Sequence, residues 1–255
     1  MKKVTAFIGT GRKKHTYYAV QKFLSSLESL GGVEHEIVAL TDYKVETCRG
    51  CKNCFLKGES FCPLKDDRDV LIGKMTASDG VVFASPNYSY QVTAIMKTFL
   101  DRLGFVFHRP QFFGKTFTSI VNQGIYGGSK IVKYLDFVGM GLGFNVVKGS
   151  CVTALEPMSE KEQRKIDANL AAHAGRFHAG LSQPPYPAPT LFKLWAFRMT
   201  RTSMRLTLDE TYRDYMHYLE KGWFDSDYYY PVRLNMFKKA AGSLFDYASS
   251  RSAKG

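Results

Sequence analysis

Two stretches of this 255-residue chain carry residues whose types and spacing could do chemistry. The first is Gly9-Thr10-Gly11-Arg12-Lys13-Lys14-His15-Thr16, which sets hydroxyls at Thr10 and Thr16 beside cations at Arg12 and Lys14. Hydroxyls, cations and unpaired backbone N–H groups at a helix start together make a cage for a terminal phosphate. The second is Cys48-x-x-Cys51-x-x-Cys54, with Cys62-Pro63 after seven intervening residues. Four thiols packed this closely suit metal ligation or redox chemistry better than a disulfide framework. Arg49, Lys52, Lys57 and Lys65 would offset the negative charge of a thiolate set.

Neither of the common phosphate loops is present. Gly-x-x-x-x-Gly-Lys followed by Ser or Thr is absent, and Gly9-x-Gly11 is followed by Lys14 where the dinucleotide fingerprint has a third glycine. By itself the first stretch could equally be a solvated basic turn. Its meaning depends on the elements that position it.

Val4, Ala6, Phe7 and Ile8 form a short apolar run, as in a strand covered on both faces. An amphipathic helix with apolar Ala19, Val20, Phe23, Leu24, Leu27 and Leu30 is predicted from Tyr17. Val33 to Leu40 reads as a second strand and Val81 to Ala84 as a third. The third ends in Ser85-Pro86-Asn87-Tyr88-Ser89. Between them, Asp66-Asp67 reads as the N-cap of a helix whose buried stripe is Val70, Leu71, Met75 and Ala77. A helix from about Gln91 to Leu103, with Ile95, Met96, Phe99 and Leu100 inward, leads to a fourth strand, Thr116 to Val121. The loop Asn122 to Gly128, a helix over 129–140 and a fifth strand over 144–155 follow. Ser159 and Glu162 stand in capping-box spacing at the start of a helix that runs to Leu181.

Strands alternating with helices argue for an open parallel sheet with helices on both faces. Ligands of such sheets sit beyond the C-terminal strand ends. The ends of the first, third and fourth strands carry Thr10 to Thr16, Pro86 to Ser89 and Asn122 to Gly128, and their convergence is the central expectation.

These residues resemble the NADPH-dependent FMN reductase and iron–sulfur flavoprotein group of the flavodoxin-like superfamily. The likeness lies in Thr10 to Thr16, the tract Cys48 to Asp67, Asp79 to Tyr88, and Met96-Lys97-Thr98-Phe99-Leu100-Asp101-Arg102. It covers roughly residues 2–181. It implies a five-stranded doubly wound α/β sheet of order 2-1-3-4-5, with the cysteine loop 48–62 inserted after the second strand. It also implies that Thr10, Arg12, His15 and Thr16, with Lys14 nearby, hold an FMN phosphate. Pro86, Asn87, Tyr88 and Ser89 would line the isoalloxazine, with Asn122, Gly124, Tyr126 and Gly127 across from them. The family loop usually opens with Ser-Pro and has Asn before its Thr, whereas Thr10-Gly11 and His15 stand in those places here. On physical grounds too, a flavin ring needs flat aromatic walls, which Tyr88, Tyr90 and Tyr126 can supply.

The Cys48, Cys51, Cys54 and Cys62 spacing resembles ferredoxin-type ligation, where the last Cys also precedes Pro. A [4Fe–4S] cluster, a zinc ion and plain redox or structural thiols all remain compatible with it. Cys151, on a predicted strand, reads as core. His108, His173, His178 and His217 show no ligand or triad spacing.

Residues 182–255 are expected to form a Pro-rich linker followed by a basic, aromatic, helical extension. A helix over 191–206 would put Phe192, Trp195, Met199 and Leu206 near one side and Arg198, Arg201 and Arg205 on another. Contact with an anionic membrane surface is one use for such a helix; packing on its own domain or on a second subunit of a homo-oligomer is the favoured one.

The net charge of +12 is spread along the chain, which favours phosphorylated small molecules over a nucleic-acid stripe. No run of apolar residues is long enough for a membrane span, and the opening one is too short for a signal peptide, so a cytoplasmic protein is expected. The functional expectation is an FMN-dependent oxidoreductase using NAD(P)H and passing electrons to an organic or protein acceptor. The competitors are an electron carrier with FMN and a [4Fe–4S] cluster, and a zinc-stabilised nucleic-acid-binding module.

Overall fold

The computed structural model describes residues 1–252. In chain order its elements are β1 (Lys2–Ile8), α1 (His15–Ser29), β2 (Val33–Ala39), α2 (Asn53–Leu56), α3 (Arg68–Thr76), β3 (Gly80–Pro86), α4 (Ala94–Arg102) and α5 (Gly104–His108). There follow β4 (Thr116–Gln123), α6 (Gly128–Gly141), β5 (Asn145–Val146), β6 (Ser150–Thr153), α7 (Glu160–Leu181), α8 (Leu191–Thr207), α9 (Arg213–Glu220) and α10 (Met236–Ser252). They fall into two compact units. One comprises Met1–Arg49 with Leu64–Pro185; the other joins Gly50–Pro63 to the chain from Tyr186 onward.

The first unit is a wholly parallel sheet of order β2-β1-β3-β4-β5, with β6 pairing with β4 beyond β5. This is the flavodoxin-like order expected. The two-residue period of a strand divides its side chains between two cores. Val4, Ala6, Ile8, Val82, Ala84 and Ile120 pack with α1 and α7. Phe7 stacks on Phe99 of α4 at 5.9 Å and meets Phe83 edge-on, and Phe83 in turn meets Phe117 at 5.1 Å. Continuously apolar strands are therefore what a sheet covered on both sides requires.

The expected fifth strand is two strands. Phe117 pairs with Val146 and Ile120 with Ser150, so residues 147–149 stand opposite only 118–119, a β-bulge. Asp136 of α6 fills it: its carboxylate accepts the Ser119 hydroxyl at 2.8 Å and the Gly149 N–H at 3.1 Å. Burial raises the Asp136 carboxyl above its ordinary range. A Cβ on residue 149 would lie 2.1 Å from Ser119 Oγ, so the bulge needs glycine.

Leu30, Val70, Ala77 and Ile95, expected among the apolar helix positions, are exposed, whereas Leu71, Met75, Met96, Phe99 and Leu100 are buried. Asp67 does precede α3, but its carboxylate accepts Lys44 N–H at 2.7 Å instead of capping the helix. Asp66 pairs with Arg102 at 3.0 Å in near-complete burial and also accepts Glu46 N–H, pinning the segment ahead of the cysteines. The capping box of Ser159 and Glu162 is formed.

In the second unit Arg198 and Arg201 of α8 are turned inward. Arg198 reaches Asp246 at 2.8 Å and Asp227 at 2.5 Å, and Arg201 reaches Asp246 at 2.6 Å. Phe192, Trp195 and Leu206 are exposed. Those two arginines neutralise acids of their own unit, so they are not presented to an anionic surface. Phe197, Tyr218, Trp223, Phe224 and Tyr228 form the unit's aromatic core. No helix among the described residues is long and apolar enough to cross a membrane.

Two predictions follow from these cores. His173 is fully buried, hydrogen-bonded through Nε2 to the Thr118 hydroxyl at 2.7 Å, and desolvation drives its pKa from 6.5 to about 3. Its neutral ring contributes stability that is complete above pH 6.5 and is lost as the pH falls toward 3, because only the unfolded chain then takes up the proton. Between pH 7 and 5 the loss from this residue is about 2 kcal/mol. Urea titrations of His173→Gln should show that much less acid sensitivity than wild type. Asp246→Ala, which strips both buried arginines of a partner, should destabilise by about 2 kcal/mol or more in the same assay.

Candidate functional site

The site lies at the C-terminal edge of the sheet in the first unit and begins with a close approach. Gly9 follows β1, and its carbonyl accepts the Thr93 hydroxyl at 2.5 Å. The same hydroxyl accepts Met96 N–H at 3.3 Å, capping α4, while Thr93 N–H donates to Ser85 Oγ at 3.1 Å. A Cβ on residue 9 would lie 2.8 Å from Met96 Cβ. Glycine here lets the chain leave the sheet and turn into the donor-rich loop.

That loop delivers His15 and Thr16 into the first turn of α1, two residues earlier than the periodicity suggests. No side chain caps α1 and no acid lies in its first turn. Its first N–H groups and the positive end of its dipole are left for an anion. Arg12 and Lys14 are exposed, while Thr16 is buried at 4% exposure.

Thr10, Arg12, Lys14, His15 and Thr16 line one open cavity of about 280 Å³ together with Pro86, Tyr88 and Asn122. Residues from all three expected loops thus meet in one place. Ala154, Leu155 and Glu156, from the loop after β6, complete the lining and were not foreseen. Parallel pairing brings every C-terminal strand end to one edge, so the fifth tip belonged with the others. Reading strand through residue 155 concealed it.

Asn87, Ser89, Gly124, Tyr126 and Gly127 stand around the cavity without lining it. Asn87 N–H donates to the Asn122 carbonyl at 2.7 Å, and its amide nitrogen donates to the Tyr126 carbonyl at 3.0 Å. Ser89 and Tyr90 form a two-residue turn closed by reciprocal Tyr88–Gln91 backbone bonds, with φ of 50° and 62°. Two positive φ values in non-glycine residues are unusual, the kind of local strain found at functional sites. The turn aims Tyr90 across to Tyr126, whose hydroxyl accepts from Tyr90 at 2.7 Å. This bond pushes the exposed Tyr90 phenol above its ordinary pKa of 10. Gly127, at φ 94°, lies under the Tyr90 ring, where a Cβ would come within 2.7 Å of it. Gly124 approaches Leu155.

The buried amide oxygens of Asn87 and Asn122 have no hydrogen-bond partner within the described chain. Asn122 lines the cavity, and an orphaned acceptor there calls for a donor from a ligand. A flavin mononucleotide brings ring N–H and ribityl O–H donors together with a phosphate, and the residues present fit it at both ends.

The cysteines are arranged differently. Cys48 and Cys51 are exposed, Cys54 and Cys62 half-buried. Cys48 belongs to the first unit and the other three to the second. Among the described residues no three His, Cys, Asp or Glu side chains gather as a metal set. Cys151 is a half-buried thiol that desolvation pushes up to about 11, consistent with an inert core residue.

Residues 2–156 match the family described as NADPH-dependent FMN reductases. An iron–sulfur flavoprotein of Archaeoglobus fulgidus is 36% identical over 163 residues, covering 58% of this chain and 70% of that protein. Among solved structures, an azoreductase from Bacillus anthracis superposes with a TM-score of 0.56 at 16% identity, over 70% of this chain and 100% of its own. RosB, solved with 8-demethyl-8-formylriboflavin-5'-phosphate, has a TM-score of 0.56 at 14% identity over 92% of each chain. At such identities the likeness is one of fold.

Gly9→Ala should force the loop off α4 and cost about 1–3 kcal/mol, read from denaturant midpoints. An unchanged midpoint would mean that the close approach is not a constraint.

Proposed function

The chain belongs to the NADPH-dependent FMN reductase family, and on that premise we propose that it is an FMN-dependent oxidoreductase taking hydride from NAD(P)H for delivery to an organic or protein acceptor. The observation that carries the reading is the meeting of Thr10, Arg12, Thr16, Pro86, Tyr88 and Asn122 in one cavity at the uncapped start of α1. Bound there, FMN would supply the redox chemistry of its ring, and no side chain need act as acid or base.

The protein's work is then binding and orientation. Arg12, Lys14 and the first-turn N–H groups of α1 meet the charge of the phosphate, and the Thr10 and Thr16 hydroxyls fix its direction. Pro86 and Tyr88 offer flat apolar surface to the ring. The amide of Asn122 offers an acceptor to its polar edge. The Tyr90–Tyr126 bond fastens the two loops beside the ring so that the walls keep their spacing.

A second reading, an iron–sulfur flavoprotein that carries single electrons, is favoured by the Cys48 to Cys62 spacing and by the name of the 36%-identical relative. No step is assigned to a cluster. Iron and acid-labile sulfide assayed after anaerobic purification decide between the readings: near-stoichiometric amounts establish the second, and background amounts leave the first.

The primary reading is tested by removing the phosphate donors. Arg12→Ala combined with Thr16→Ala should weaken FMN binding by about thirtyfold or more, the loss of two charge-assisted contacts, with the circular dichroism spectrum retained. Unchanged flavin affinity would remove the site assignment.

A further inference from the structure

Resting on the reading of the cavity as an FMN site, we propose that Glu156 sets how strongly the site discriminates phosphorylated from unphosphorylated flavin, by standing among the phosphate donors as a competing anion. Among the described residues lining the cavity, Glu156 is the one carboxylate. It comes from the loop after β6, and its Oε1 lies 3.0 Å from His15 Nε2 and 3.9 Å from Lys14 Nζ. His15 opens α1, which has no acid of its own in the first turn. Glu156 therefore brings to this helix start the carboxylate that its local sequence lacks.

That placement has two consequences for a ligand. In the free chain the carboxylate already satisfies part of the positive charge, so an incoming phosphate gains only the difference between two ion pairs. A carboxylate that stays in the cavity also repels the phosphate, and one that leaves gives up its contacts with His15 and Lys14. Both effects weaken FMN. A flavin without phosphate brings no charge and meets neither, so Glu156 narrows the affinity gap between the two ligands. Were Glu156 only a support that orients His15 for the phosphate, its removal would act in the opposite direction.

Fluorescence titration of FMN and of riboflavin, into the full chain and into Glu156→Gln at one ionic strength, separates the two. The variant should bind FMN about two- to fivefold more tightly than wild type, with riboflavin affinity unchanged. Glu156→Ala should repeat the shift, and inorganic phosphate should displace FMN's hold on wild type and variants alike. FMN affinity that is unaltered or reduced in both variants, or a parallel gain for riboflavin, overturns the role of Glu156 while leaving the cavity reading intact. A wild-type chain that binds no FMN overturns the cavity reading and this inference with it.

Discussion

The site depends on the contact between Gly9 and Thr93. One hydroxyl holds the carbonyl that ends β1 and caps the helix that follows β3, while the Thr93 N–H reaches back to Ser85. Neighbouring strands β1 and β3 are thereby tied at their tips, and the chain after Gly9 must turn outward over the sheet edge. Only a residue without a side chain allows that spacing. The loop that emerges presents Thr10 to Thr16, and α1 starts without a cap. Binding at the tips of a parallel sheet then needs no separate scaffold.

Much of this was legible in the sequence, for physical reasons. Short apolar runs ending in small polar residues, alternating with 3.6-period stripes, leave few options besides a doubly wound sheet. The strand order agrees with that pattern, as does the packing, with Phe7, Phe83 and Phe117 on one face and Val4, Ala6, Ile8 and Val82 on the other. Side chains whose placement depends on distant partners were less legible. Asp136 splits the fifth strand through bonds to Ser119 and Gly149, which no local periodicity records. The same extended reading of that strand hid Glu156. Tyr90 adopts positive φ without the Asn or Gly that normally announces such a turn.

The second unit teaches the complementary lesson. The sequence places Arg198 and Arg201 on one side of a helix without saying where that side faces; Asp227 and Asp246, far along the chain, neutralise it and hold it inward. The aromatic residues opposite are then the ones left exposed. Cys48 to Cys62, a compact tract in sequence, likewise divides between the two units. Spacing along a chain limits which atoms can meet; it does not make them meet.

The convergence of strand tips into a flavin phosphate site is the claim on which the rest stands. Isothermal titration calorimetry of flavin-free protein with FMN tests it directly. One site per chain, with a heat that shrinks as inorganic phosphate is raised at constant ionic strength, is the predicted result. An absence of binding heat, or binding indifferent to phosphate, would contradict it.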